Sequence, residues 1–191
     1  TWYMYMNMTQ PPFDDLKVRE AVNYAVNTEA LEKIYAGSLA ATHQILPEGM
    51  PGHEPFDLYP HDMAKAKQLI EEANPSDRNI TVWTDNESPN NEAGAYYEGV
   101  LDELGFNAKL KEINADNYFT IIGNESTPDL DTGWLSFYED YPHPNDFLQT
   151  LFSGESIAPT GNTNFPRLDD PKVTAKIAKL GEEPLGSKQE A

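Results

Sequence analysis

Apolar positions along the chain follow two periods, and the switches between them set the order of elements. Trp2 to Met8 alternates, which predicts an opening strand. After the turn at Gln10-Pro11-Pro12, Val18, Ala21, Val22, Ala25 and Val26 recur at helical spacing. Thr28 is placed to cap a second short helix carrying Leu31, Ile34 and Tyr35, with Gly37 at its end, so the pair reads as a helical hairpin. Residues 38–60 hold Pro47, Pro51, Pro55 and Pro60, which predicts a long functional or covering loop. Asp62 opens a third helix with Met63, Ala66, Ile70 and Ala73 inward, closed at Asn74-Pro75.

The second half alternates strand and helix. Residues 79–84 read as a strand; Ala93, Tyr97, Val100, Leu101 and Leu104 line a helix that Gly105 ends; Phe106, Ala108 and Leu110 form one face of the next strand. A short helix through Ile122 precedes a strand over 129–137, nearly all apolar after Thr132 and therefore expected at the sheet centre. A helix over 145–151, a loop over 153–166 and a helix carrying Val173, Ile177 and Leu180 follow, with Ser187 placed to cap another. The predicted fold is α/β, one mixed sheet flanked by helices, with residues 1–191 sharing a single core. Thr1 lies next to a strand and Ser187-Lys188-Gln189-Glu190-Ala191 starts a helix, so both ends read as cut from a longer chain.

Charge narrows the function. Thirteen Lys and Arg against 32 Asp and Glu give a net charge of −19, which repels nucleic-acid phosphates and anionic lipid. No cysteine is present, which removes disulfides, thiolate metal sites and a Cys nucleophile. No phosphate-binding glycine loop and no G-x-S-x-G elbow occur. His43, His53, His61 and His143 lie in loops or at a helix start without metal-ligand spacing, so neither a metal nor a cofactor is expected.

One segment concentrates chemistry: Gly133-Trp134-Leu135-Ser136-Phe137-Tyr138-Glu139-Asp140-Tyr141-Pro142-His143-Pro144, at the exit of the expected central strand. Open α/β sheets bind ligands at such strand ends. Two readings are open. Asp140, stiffened by the two prolines and flanked by the rings of Trp134, Phe137, Tyr138 and Tyr141, would pair with an ammonium, or the rings are core and Asp140 caps the following helix.

Several segments in order resemble a family. Met6-Asn7-Met8-Thr9, Pro12-Phe13-Asp14-Asp15 and Val18-Arg19-Glu20-Ala21-Val22-Asn23-Tyr24-Ala25-Val26-Asn27, then Asp62-Met63-Ala64-Lys65-Ala66-Lys67-Gln68-Leu69-Ile70-Glu71-Glu72-Ala73, then Gly133-Trp134 with Asp140-Tyr141-Pro142, are similar to the bacterial extracellular solute-binding proteins of family 5. These are the dipeptide, oligopeptide and nickel-binding components of ABC importers. Asn74 replaces the family's usual glycine, two further residues separate Gly133-Trp134 from the acid, and His143 stands where many members have a second Asp. These departures imply a loop shaped for a different ligand.

The resemblance implies one lobe of a periplasmic-binding-protein type II fold, the C-terminal lobe of a two-lobed clamp. It implies that Asp140 holds a peptide ammonium, that Gly133, Trp134 and Tyr141 line the same wall, and that the first lobe and the permease membrane subunits are partners. The location it implies is extracellular or the cell envelope, periplasmic or lipid-anchored. The enzyme alternative is an acid glycoside or peptide hydrolase pairing Glu139 or Asp140 with Asp129 or Asp131.

Overall fold

The structure, a computed structural model, describes residues 1–183. The expected helix start at Ser187 lies outside them. Among the described residues four strands, β1 (Trp2–Met6), β2 (Asn79–Asp85), β3 (Asn107–Ile113) and β4 (Thr132–Ser136), form one sheet in the order β1-β4-β2-β3. β2 is parallel to β3 and to β4, while β1 runs antiparallel to β4, so the sheet is mixed.

The helices are α1 (Leu16–Ala25), α2 (Thr28–Ile34), α3 (Met63–Ala73), α4 (Asn90–Glu103), α5 (Ala115–Ile122), α6 (Pro144–Phe152) and α7 (Pro171–Glu182). They cover both sheet faces. Ile80 and Val82 of β2 pack with Val18, Val22, Ile70, Tyr97 and Leu101 on one side. Trp83, one residue on, packs on the other side with Tyr5, Tyr118, Ile122 and Leu135, as period-2 alternation requires.

The expected helical hairpin does not form. α1 lies against α3, its Val18, Ala21, Val22 and Ala25 face meeting Ala66, Leu69 and Ile70. Val26 and Asn27 are both extended, which turns the chain away before α2, and Tyr96 of α4 holds the link by accepting from the Asn27 N–H at 2.7 Å. Asn27 rather than Thr28 caps α2, its Oδ1 accepting from the Glu29 N–H. The proline-rich loop does more than cover. Its Leu46 and Met50 are buried against Phe147 and Leu151, so it fixes the position of α6.

β4 is buried on both faces, and its polar groups are met from several elements. Thr132 Oγ1 donates to the Tyr5 carbonyl, so the Tyr97 hydroxyl, 3.0 Å away, is the donor to Thr132. At the entry to β4, the Asp131 carboxylate accepts from the Thr81 N–H at 2.7 Å and from Gln10 Nε2 at 2.6 Å, taking a main-chain donor ahead of the first β2–β4 residue pair. Gly133 allows the strands to approach: a Cβ there would come within 2.5 Å of the Trp83 carbonyl oxygen and 2.9 Å of the Tyr5 ring.

Two outcomes follow from this packing. Gly133→Ala must displace main chain, and is expected to cost about 1–3 kcal/mol in urea unfolding. Desolvation raises the Asp131 pKa, outweighing the Thr81 bond, so the folded state binds this proton more tightly than the unfolded chain does. Its contribution to stability is therefore full below the ordinary aspartate range and fades as pH rises through the shifted value. Unfolding free energies measured from about pH 3 to pH 7 should show that Asp131→Asn lacks this part of the decline.

Candidate functional site

The strand order reverses between β4 and β2, with β3 continuing on one side and β1 on the other. The β2–β4 ladder pairs Val82 with Thr132 and Trp83 with Gly133. Beyond it lie Thr84 and Asp85 of β2 and Trp134 to Ser136 of β4. A crevice at the carboxyl ends of strands where their order reverses is the place an α/β sheet offers a ligand. The Tyr118 hydroxyl closes its floor, lying 2.9 Å from the carbonyls of both Trp83 and Trp134.

The loop leaving β4 is stiffly mounted. The Asp140 N–H donates to Oδ2 of buried Asp146 at 2.7 Å, and the His143 N–H donates to the Tyr141 carbonyl at 2.8 Å. His143 caps α6 through Nδ1, which accepts from the Asn145 N–H at 3.0 Å, and Pro144 occupies the first turn. The reading of Asp140 as the helix cap is thereby corrected. Asp140 is exposed, and among the described residues no hydrogen bond or ion pair engages its carboxylate.

The four rings expected around Asp140 do not form one wall. Trp134 is 3% exposed and stacks on Trp2 with centroids 5.8 Å apart and planes at 16°. Phe137 packs edge-on against Phe147 at 5.0 Å. Tyr138 and Tyr141 stand in solvent, 68% and 48% exposed. Asp140 and Tyr141 thus share the loop, whereas Gly133 and Trp134 sit in the body of the sheet.

The carboxylates proposed for hydrolysis are also separated. Asp129 and Asp131 precede β4, and Glu139 and Asp140 follow it, with Asp131 already committed to Thr81 and Gln10. Five strand residues alone span roughly 16 Å, beyond the ~5–10 Å over which a glycosidase pair works. Among the described residues no three His, Asp or Glu side chains converge as a metal site.

A cavity of about 1260 Å³ runs along β1 beneath the proline-rich loop, with Trp2, Met4, Phe56, His43, Trp134 and Tyr138 in its lining. Gly133, Asp140 and Tyr141 are not part of that lining. Sequence reasoning marked the loop as functional or covering and β1 as a strand, but nothing local joined them. They meet in one cluster, where Tyr3 of β1 and Ile45, Leu46 and Met50 of the loop pack with Phe147 and Leu151 of α6.

Residues 1–159 match the family described as bacterial extracellular solute-binding proteins, family 5 Middle. The glutathione-binding protein GsiB of Salmonella choleraesuis (strain SC-B67) is 30% identical over 171 residues, 85% of this chain and 33% of that protein. A structure of clavulanic acid biosynthesis oligopeptide binding protein 2 superposes with TM-score 0.83 and 27% identity, over 94% of this chain and 35% of that one. The dipeptide binding protein from Pseudoalteromonas sp. SM9913 in complex with Met-Leu gives TM-score 0.81 and 25% identity, over 93% and 36%. The chain spans about a third of the length of these relatives. With the sheet order, the crevice and this match over most of its residues, the chain belongs to the bacterial extracellular solute-binding proteins of family 5.

Proposed function

We propose that this chain is the C-terminal lobe of the substrate-binding component of an ABC importer, which captures peptides or related small solutes between two lobes for delivery to a membrane permease. It works outside the cytoplasmic membrane and catalyses no reaction. The observation that carries this reading is the Asp140 carboxylate, held out at the tip of a loop fixed by Asp146 and by the capped α6. An acid so mounted pairs with an ammonium at little cost in ordering.

Asp140 takes the α-ammonium of the solute, and Tyr141 beside it offers a ring face to the same end. Trp134 lines the cavity along β1 that receives the rest of the solute, and Gly133 acts by letting β4 lie close on β2. The names of the relatives, which speak of glutathione, oligopeptides and a dipeptide, support a solute with a free amino group. The first lobe supplies the facing jaw, and the permease subunits dock on the closed form.

Isothermal titration of the full-length protein with glutathione and with di- and oligopeptides tests the assignment. Asp140→Asn should weaken binding on the order of 10–100-fold, the worth of one charge-assisted hydrogen bond, without altering the melting temperature. Unchanged affinity would remove Asp140 from the site. Peptide turnover abolished by the same change would replace the binding reading with an enzyme.

A further inference from the structure

Trp134 carries a buried indole N–H on the side of the sheet where Tyr35 and Ala93 pack, and the way it is satisfied reaches far beyond β4. Trp134 Nε1 lies 2.8 Å from the Tyr35 hydroxyl, Tyr35 lies 2.7 Å from Asn90 Oδ1, and Asn90 Nδ2 lies 2.8 Å from Asp85 Oδ2. The direction of every bond is forced. An indole only donates, so the Tyr35 oxygen accepts and its single proton goes to Asn90. A carboxylate only accepts, so the Asn90 amide turns its nitrogen to Asp85 and its oxygen to Tyr35. The chain is therefore polarised in one sense, from the ring of Trp134 to a carboxylate that is 8% exposed.

Each link is pinned separately. Asp85 Oδ1 accepts from the Glu87 N–H at 2.9 Å, and the Asn90 carbonyl accepts from Thr84 Oγ1 at 3.1 Å. Burial pushes the Tyr35 hydroxyl up to about 12, so it stays a donor throughout the neutral range. Tyr35 also touches both tryptophans through its ring, at 5.5 Å from Trp2 and 6.1 Å from Trp134. A single main-chain carbonyl is enough to satisfy an indole N–H. Three side chains from the end of α2, the start of α4 and the end of β2 do so instead, and they fix the ring where it meets the cavity.

We infer that Tyr35, Asn90 and Asp85 are positioning residues for binding: they form a hydrogen-bond relay that sets the orientation of Trp134 in the ligand-facing wall. The relay rests on geometry alone, while its consequence for affinity rests on the function proposed above. None of the three residues is assigned a contact with the solute.

The test uses the full-length protein with ¹⁵N-labelled tryptophan, its Trp134 indole resonance identified by loss in Trp134→Phe. Tyr35→Phe keeps the ring and removes both bonds, and should shift that resonance and speed its exchange with solvent by about tenfold or more. Asp85→Asn does not touch Trp134, yet should move the same resonance in the same direction by a smaller amount. Both variants should weaken Met-Leu or glutathione binding by roughly 3–30-fold, whichever the wild type binds. A Trp134 resonance unmoved by Asp85→Asn overturns the relay, as does a moved resonance with unchanged affinity for a peptide that the wild type binds. Should the wild type bind neither probe, affinity is read with whichever di- or oligopeptide the titrations above show it to bind; binding to none of them overturns the proposed function, while the relay still stands or falls on the indole resonance.

Discussion

β4 is buried on both faces between strands of opposite direction, so every polar atom along it must be answered by the protein itself. That single requirement organises the lobe. Asp131 meets the edge of β2 where the ladder begins, Thr132 joins Tyr97 to the main chain of β1, and Tyr118 serves the carbonyls of Trp83 and Trp134. Trp134 then passes its proton contact to Tyr35 and on to α4. Helices from both layers are tied to one strand by side-chain bonds, and the strand's exit is held still as a result. A loop leaving a mobile strand would carry Asp140 through many positions.

The amino-acid sequence makes the elements of this arrangement legible, since period alone separates them. The alternation at Phe106, Ala108 and Leu110 and the apolar run after Thr132 each place a strand that the structure contains, and the stripe through Ala93, Tyr97 and Leu101 a helix. Period says nothing of which helix meets which. α1 and α2 are adjacent in sequence, but the narrow Ala21 and Ala25 face of α1 suits the close approach of Ala66 on α3, and the extended pair Val26-Asn27 permits it.

The loop after β4 is legible in the sequence as a place in the fold and less so as a geometry. Aromatic residues crowded near Asp140 suggest one ring-lined wall, but alternation along an extended chain sends neighbours to opposite sides. Trp134 goes to the layer of Tyr35 and Ala93, Leu135 to that of Tyr118, and Phe137 to α6. The Trp134 indole N–H finds its acceptor 99 residues away in Tyr35, which in turn bonds Asn90, and no local pattern joins them. His143 shows the converse. Standing where the family's second Asp is expected, it still performs the capping that an Asp would, because Nδ1 accepts the same N–H.

With 32 acidic residues, negative charge by itself cannot distinguish one carboxylate as a binding group. Exposed acids are solvated on mobile side chains, and pairing them with a solute costs the ordering of both. Asp140 differs in what stands behind it. Its own N–H is held by Asp146, a residue 4% exposed in the first turn of α6, where the helix dipole favours an acid. α6 in turn is fixed by Leu46 and Met50 of the proline-rich loop. The backbone beneath the carboxylate is thus held, so an ion pair formed by Asp140 would carry less main-chain ordering cost than one on a free loop. The held surface of this sheet runs from the polar spine of β4 to the loop that carries Asp140.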